Sequence, residues 1–145
     1  MSRLSPVNML KLAQGFLAAG QRELAHARPR TISLPAYFLI SRAIELGLKT
    51  FLLLGGAGAA DLKKVGHDLV KAAAAAFAAG LSDVVALPPE GELALRMINP
   101  YYAAKDLEYV TTGSKQYPPA QHLAVYAEKL LAALTKPVRA WRPVN

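Results

Sequence analysis

The stretch from Leu34 to Leu54 is almost entirely apolar, and its charged exceptions are Arg42, Glu45 and Lys49. Because an α-helix advances about 100° per residue, these three side chains fall within a stripe roughly 60° wide. The rest of the circumference can be buried, so we predict that this stretch is the central helix of a bundle. Glu45 precedes Lys49 by four residues, the favourable order for a helical ion pair, and a buried pair would need a third partner.

This apolar helix does not read as a membrane span. Three charged groups near its middle would each cost about 2.5 kcal/mol or more in a bilayer, so we expect no membrane association. At the amino terminus, Asn8, Lys11 and Gln14 interrupt any signal-peptide core, which predicts no secretion. The chain has no cysteine, which excludes disulfides, cysteine metal sites and thiol nucleophiles and fits a cytoplasmic location.

The length and the net charge of the chain bear on the number of domains and on the kind of partner. A chain of 145 residues with 53% hydrophobic content can bury one core but is too short for two ordinary domains, so we expect one domain over residues 1–145. A net charge of +7 makes anionic partners plausible through long-range attraction. The basic side chains are mostly dispersed, however, and dispersed charge is more typical of a solvated surface than of a nucleic-acid footprint.

Caps, prolines and glycines predict the helix boundaries. Ser5-Pro6 and Ser33-Leu34-Pro35 are typical helix starts, and the glycines at 55–58 end the central helix. These glycines lack the continuation of a phosphate-binding loop. No stretch alternates like a strand. We therefore predict an all-α fold, an antiparallel up-and-down bundle of about five helices.

Several boundaries are predicted with alternatives. The first helix runs to about Gly20, with a kinked continuation to residue 27 as an option. Residues 81–92 read as a loop with a helical turn. Asn99-Pro100 marks either a new helix start or a kink. Pro137 is predicted to stop the last helix, and residues 136–145 form a tail that either packs Trp141 on the bundle or remains mobile.

Three segments together resemble a known family. They are RAIELGLKTFLLLGG at 42–56, VGHDLVKA at 65–72 and NPYYAAKDLEY at 99–109. This combination resembles small bacterial HEPN-like proteins over roughly residues 34–134. The resemblance implies an antiparallel helical bundle that is frequently a homodimer. It also implies a role in RNA cleavage, in nucleotide-linked regulation or as the partner of a nucleotidyltransferase.

In the ribonuclease members of that family, an arginine followed four to six residues later by a histidine near the last helix supplies the RNA-cutting site. The chain offers Lys115 and His122 in this region, with two prolines between them. Lysine lacks the planar bidentate grip of a guanidinium group on phosphate. His122 is therefore either a catalytic residue or an ordinary residue at the start of a helix.

His67 lies in Gly-His-Asp shortly after the central helix, where Glu45 could orient its ring. A histidine held by a carboxylate can act as a general base or as a proton-sensitive switch. Alternatively, His67 and Asp68 cap the following helix and tie it to Glu45 and Lys49. The histidines at 26, 67 and 122 lie in separate segments, so we predict no metal site, and we predict no cofactor.

Tyr101, Tyr102 and Tyr109 could stack on nucleic-acid bases, but on a helix they are more simply core or dimer-interface residues. Arg96 and Lys105 flank them and could contact phosphate or remain solvated.

Two functional hypotheses follow. The first is a non-catalytic HEPN-like module that dimerises and binds a protein partner or a nucleotide or RNA ligand. Its groove would be lined by Arg42, Glu45, Lys49 and His67. The alternative is a metal-independent endoribonuclease with a degenerate Lys115/His122 site. In it, Lys115 and His122 from two subunits would face each other, with the lysine holding phosphate and the histidine moving the proton.

Overall fold

The chain folds into α-helices in this computed structural model, which describes residues 4–29, 31–108 and 115–143. Over these ranges there are six helices, one 3₁₀ turn at Leu81–Asp83 and no strand. The all-α fold predicted from the sequence is confirmed, with one helix more than the five expected. In chain order the helices are α1 (Pro6–His26), α2 (Leu34–Leu54), α3 (Ala59–Val65), α4 (Leu69–Ala78), α5 (Pro89–Ala103) and α6 (Ala120–Ala140).

Both serine caps are formed as predicted. The Ser5 hydroxyl accepts a hydrogen bond from the backbone N–H of Asn8 at 3.3 Å, and the Ser33 hydroxyl accepts one from Ala36 at 3.2 Å. Each bond satisfies one of the free donors in the first helical turn, and a proline follows directly in the same turn. The central helix therefore has the bounds that its sequence predicts.

Of the two ends predicted for the first helix, the later one is observed, because α1 continues past Gly20 to His26. Gly20 is instead a point of close approach between α1 and α2. A Cβ atom at Gly20 would lie 2.7 Å from Cγ1 of Ile40, closer than packed carbons can approach. This glycine allows two helices to pack tightly and does not end one of them.

Pro137 does not stop α6, which continues to Ala140 and so includes the first part of the predicted tail. The reason is burial: Val138 is only 5% exposed and lies one turn beyond the fully buried Leu134 on the same helical face. Trp141 is half-buried just after the helix end.

Pro100 likewise lies inside α5, and this helix begins at Pro89, within the loop predicted for residues 81–92. Asn99-Pro100 therefore does not start a new helix. Buried Tyr102 continues the inward face of α5 past the proline.

The central helix α2 packs against both α1 and α6. The Tyr37 hydroxyl donates to the carbonyl of Pro118 just before α6, and Gly47 contacts Leu130 and Leu131 further along that helix. Both pairs of contacts advance in the same direction along the two helices, so α2 and α6 run parallel. The helices adjacent in sequence, α1 and α2, run antiparallel. None of the helices over the described residues is long and apolar enough to cross a membrane.

The short helix α3 returns the chain to the middle of α2. It ends at Gly66, whose φ of +62° is a conformation that favours glycine. His67 follows this turn, and Asp68 then caps α4. The return places His67 beside Glu45, halfway along the central helix.

Candidate functional site

The side chain of Glu45 is the centre of a buried polar cluster, with only 1% of its surface exposed. Its Oε2 atom accepts from Arg42 Nη1 at 2.8 Å and from Lys49 Nζ at 2.9 Å. Its Oε1 atom accepts from the Tyr102 hydroxyl at 2.6 Å and contacts His67 Nδ1 at 2.9 Å. One carboxylate therefore holds four partners, which come from α2, from α5 and from the turn before α4.

These contacts decide the protonation state of Glu45. Burial alone would raise the pKa of the carboxyl group. Hydrogen bonds from Tyr102, Lys49 and His67, together with the charge of Arg42, outweigh burial and hold the pKa of Glu45 below its ordinary value. Glu45 is thus a permanent anion at neutral pH, and it is poorly suited to act as a general base itself.

Tyr102 contributes a neutral donor. Burial, followed by the charge of Glu45 and the hydrogen bond to it, raises the pKa of Tyr102 far above its ordinary value. The phenol therefore stays protonated, and its ring packs on Phe38 with centroids 6.2 Å apart. Tyr102 is a core residue, which is one of the two structural roles expected for it.

His67 is the exposed member of the cluster, with 56% of its side chain accessible. A carboxylate only accepts hydrogen bonds, so Nδ1 is the protonated nitrogen where it faces Glu45. Arg42 Nη1 lies 3.5 Å from the same Nδ1 atom. The other nitrogen, Nε2, is then the atom through which His67 can take up or release a proton.

Asp68 does not reach Glu45, although the sequence offered it as a third partner. Its Oδ1 atom accepts from the backbone N–H of Lys71 and from Asn99 Nδ2, each at 2.9 Å. Asn99 Oδ1 in turn accepts from the backbone N–H of Leu69 at 2.7 Å. Asp68 and Asn99 together tie the start of α4 to α5, so the capping role predicted for Asp68 is observed and its role at Glu45 is not.

Two cavities border the cluster, and Arg42 and His67 line both. The larger, of about 580 Å³, also contacts Glu45 and Lys49 and is completed by Lys63 and by apolar side chains of α1, α2 and α3. The smaller, of about 230 Å³, lies against Phe38 and Tyr102 and has Lys105 and Glu108 at its edge. The groove predicted beside Arg42, Glu45, Lys49 and His67 corresponds to the larger cavity.

Lys105 has a backbone φ of +64°, which is unusual for a residue other than glycine. It directly follows Ala104, the C-cap residue of α5. The backbone N–H of Lys105 donates to the carbonyl of Tyr102, and the N–H of Asp106 donates to the carbonyl of Tyr101. Glycine would adopt this conformation with less strain. A lysine here instead contributes a cation to the smaller cavity.

Lys115 is not among the residues that line the cavity bordered by His122. Lys115 Nζ lies 3.9 Å from Asp106 Oδ2 and 5.7 Å from the centre of the Tyr101 ring. His122 is exposed in the first turn of α6 and borders a cavity of about 180 Å³ together with Pro118. Within one copy of the chain, no hydrogen bond or ion pair joins these two residues over the described ranges.

The remaining predicted aromatic and basic residues have separate positions. Tyr101 is half-buried and packs on Tyr117 with centroids 5.1 Å apart. Arg96 is exposed and lines a third cavity, between α4, α5 and α6. Tyr109 lies outside the described residues. Over the described ranges, no group of three or more histidine, aspartate or glutamate side chains could hold a metal ion.

The sequence pattern missed two members of the polar network. Tyr102 was expected to be a core or interface residue, and Asn99 a helix cap. Tyr102 is 57 residues away in sequence from its partner Glu45, and Asn99 is 31 residues away from its partner Asp68. The only local signal is a tyrosine on the buried face of a helix, because a buried phenol usually has a hydrogen-bond partner.

The geometry permits two kinds of chemistry. Arg42, Lys49 and Lys63 can attract an anion into the larger cavity, and His67 can exchange a proton at its edge. Comparison of the chain with protein-family models, with curated proteins and with solved structures found no match.

Proposed function

We propose that the chain is a non-catalytic helical module of the HEPN type that forms homodimers and binds the phosphate groups of a nucleotide. The proposed site is the larger cavity beside Glu45. The resemblance of its sequence to HEPN-like proteins supports the class, and a nucleotidyltransferase is the protein partner that this class would favour.

The observation that carries the proposal is the excess of cations over anions around this cavity. Arg42, Lys49 and Lys63 line it together with His67, whereas Glu45 is the carboxylate among the lining residues. Because the Glu45 charge is shared between Arg42 and Lys49, it does not cancel the positive potential of all three cations. An incoming phosphate group would therefore meet a net positive wall.

The rest of the cavity suits the other parts of a nucleotide. Met9, Leu46 and Leu62 provide an apolar surface next to the cations. Apolar walls combined with a few converging polar groups are typical of small-molecule sites. A nucleotide presents this combination, with a base that packs on apolar side chains and phosphates that pair with lysine and arginine.

Isothermal titration calorimetry with ATP, inorganic triphosphate and adenosine tests the proposal. We expect ATP to bind more tightly than either fragment and to lose affinity as salt is added, because the phosphate contacts are partly exposed. Lys63→Gln removes a charge from the cavity wall and should weaken ATP binding by about three- to tenfold. The matched control is Lys64→Gln, at an exposed neighbouring position outside the cavity.

Equal effects of the two lysine substitutions would exclude the cavity as the binding site. An absence of binding by ATP, GTP, CTP and UTP would contradict the proposal altogether. If only RNA bound, with the same dependence on Lys63, the ligand would be an oligonucleotide.

No observation on the described residues favours the alternative endoribonuclease. Lys115 is already in contact with Asp106 and Tyr101, and it does not line the cavity that His122 borders. We expect RNA to remain intact on incubation with the protein. Cleavage that disappears in His122→Ala would instead establish the nuclease and contradict the non-catalytic proposal.

A further inference from the structure

A third cavity lies between α4, α5 and α6 and shares no residue with the Glu45 cluster. Its volume of about 300 Å³ is at the lower end of the range for small-molecule sites, which is about 300–1,000 Å³. Its apolar walls include Val70 and Phe77 of α4 and Leu95 of α5. A cavity of this size and lining fits a small ligand with an apolar body.

Tyr126 of α6 lines this cavity and is completely buried, yet its hydroxyl has no hydrogen-bond partner over the described residues. Gly91 allows the ring to pack closely against α5, because a Cβ atom there would lie 2.8 Å from Tyr126 Cδ2. Burial and the nearby charge of Glu92 raise the pKa of Tyr126, so the hydroxyl stays protonated and can both donate and accept. Buried hydroxyl groups are normally paired, so this one is an unused hydrogen-bonding group on a residue that forms part of the cavity wall.

Two opposite charges lie at the same cavity. Glu92 and Arg96 are one helical turn apart on α5 and both line it. Side chains at this spacing can pair, but over the described ranges no ion pair joins these two. An unpaired carboxylate and an unpaired guanidinium beside one apolar cavity match a ligand that carries both charges.

We propose that this cavity binds a small apolar α-amino acid, with its carboxylate on Arg96, its ammonium group on Glu92 and its side chain against Val70, Phe77 and Leu95. The Tyr126 hydroxyl supplies one further hydrogen bond to the bound molecule. This site is independent of the nucleotide site proposed above, because neither its residues nor its ligand chemistry is shared.

The first test uses calorimetry of the full chain with leucine, isoleucine, methionine, phenylalanine and tryptophan at up to about 10 mM. We expect at least one to bind. The analogue of the best binder that lacks the carboxylate, and the one that lacks the amine, should each lose about tenfold or more in affinity. The proposal is wrong if none of the five amino acids binds, or if either analogue binds as well as its parent.

The second test uses variants. Tyr126→Phe removes only the unpaired hydroxyl, so the melting temperature without ligand should stay the same or rise, while the affinity for the best binder should fall by about tenfold. Arg96→Gln should also weaken binding, whereas Arg22→Gln, on the exposed face of α1, should not. Unchanged affinity in Tyr126→Phe, or an equal loss in the two arginine variants, would overturn the assignment.

Discussion

Glu45 carries a negative charge at a position that is almost closed to water. Desolvating a carboxylate costs several kcal/mol, and one contact does not compensate for that cost. The Glu45 carboxylate has four partners at 2.6–2.9 Å, of which Arg42 and Lys49 are cationic and Tyr102 is a neutral donor. The partners together therefore stabilise the buried charge of Glu45. Removal of this carboxylate would leave hydrogen-bond donors without an acceptor and the buried charge of Lys49 without its counter-ion.

Glu45→Ala should lower the free energy of unfolding by about 3–5 kcal/mol, the range for breaking a buried ion pair from one side. Chemical denaturation followed by circular dichroism measures this change. Glu23→Ala, at an exposed position on α1, is the control and should change stability by less than about 0.5 kcal/mol. A loss as small as that of the control would show that Glu45 is not essential to the fold and that its role lies in binding.

Acid should destabilise the protein through the same residue. The folded pKa of Glu45 lies below its unfolded value of about 4.5, so the unfolded chain binds the proton more readily. The stabilisation is complete above the unfolded pKa and is lost as the pH falls towards the folded pKa. Stability measured from pH 7 to pH 3 should fall more steeply for wild type than for Glu45→Gln, which has no carboxyl to titrate. Parallel curves would contradict this origin of acid sensitivity.

The contacts of this cluster were only partly predictable from sequence. Helical spacing placed Arg42, Glu45 and Lys49 on one stripe, and the short helix α3 returns the chain to His67. Tyr102 was not predictable as a partner, because 57 residues separate it from Glu45 and helical periodicity carries no information about which helix packs opposite. Asp68 was predicted either to cap α4 or to contact the Glu45 cluster. Only the cap is observed, because Asp68 lies directly before the first residue of α4.

At the scale of the helices, glycines determine how closely α2 can approach its neighbours. Gly47 lies inside α2, where a Cβ atom would be 2.6 Å from Leu131 Cδ2 and 2.9 Å from Leu130 Cδ2. Glycine in a helix interior is unfavourable by roughly 0.5–1 kcal/mol relative to alanine. The close packing of α6 on α2 is the structural reason for a glycine at this position.

Gly47→Ala should therefore destabilise the protein by about 1–3 kcal/mol, because the added methyl group must displace the buried side chains of Leu130 and Leu131. Gly15 provides a matched control on α1, since a Cβ atom there would meet nothing within 4 Å. Gly15→Ala should stabilise the protein by about 0.5–1 kcal/mol through helix propensity alone. Thermal melts of both variants measure the difference, and a stabilising effect at both positions would contradict the tight α2–α6 contact.

Prolines show why helix ends were harder to predict than helices. Pro137 was expected to end α6, and local chemistry favours that reading because proline removes a backbone donor. The helix continues because Val138 is buried on the same face as Leu134. Packing between helices thus overrides a local stop signal, and that packing is not visible in the segment's own sequence.

For the whole molecule, the exposed apolar side chains suggest where a second copy would bind. Leu93 is 61% exposed and Met97, one turn later on α5, is 36% exposed. Both border the cavity that contains Pro118, Pro119 and His122. Clustered apolar side chains at one surface are more informative than a single exposed one, because they mark contact sites on otherwise polar proteins.

The proposed homodimer therefore predicts unequal effects of two similar substitutions. Leu93→Glu places a charge in this apolar surface and should shift the chain from dimer to monomer in light scattering coupled to size-exclusion chromatography. Leu12→Glu is the matched control, because Leu12 is 51% exposed on α1, away from this cavity. Monomeric wild-type protein would contradict the dimer, and dissociation caused only by Leu12→Glu would move the interface to α1.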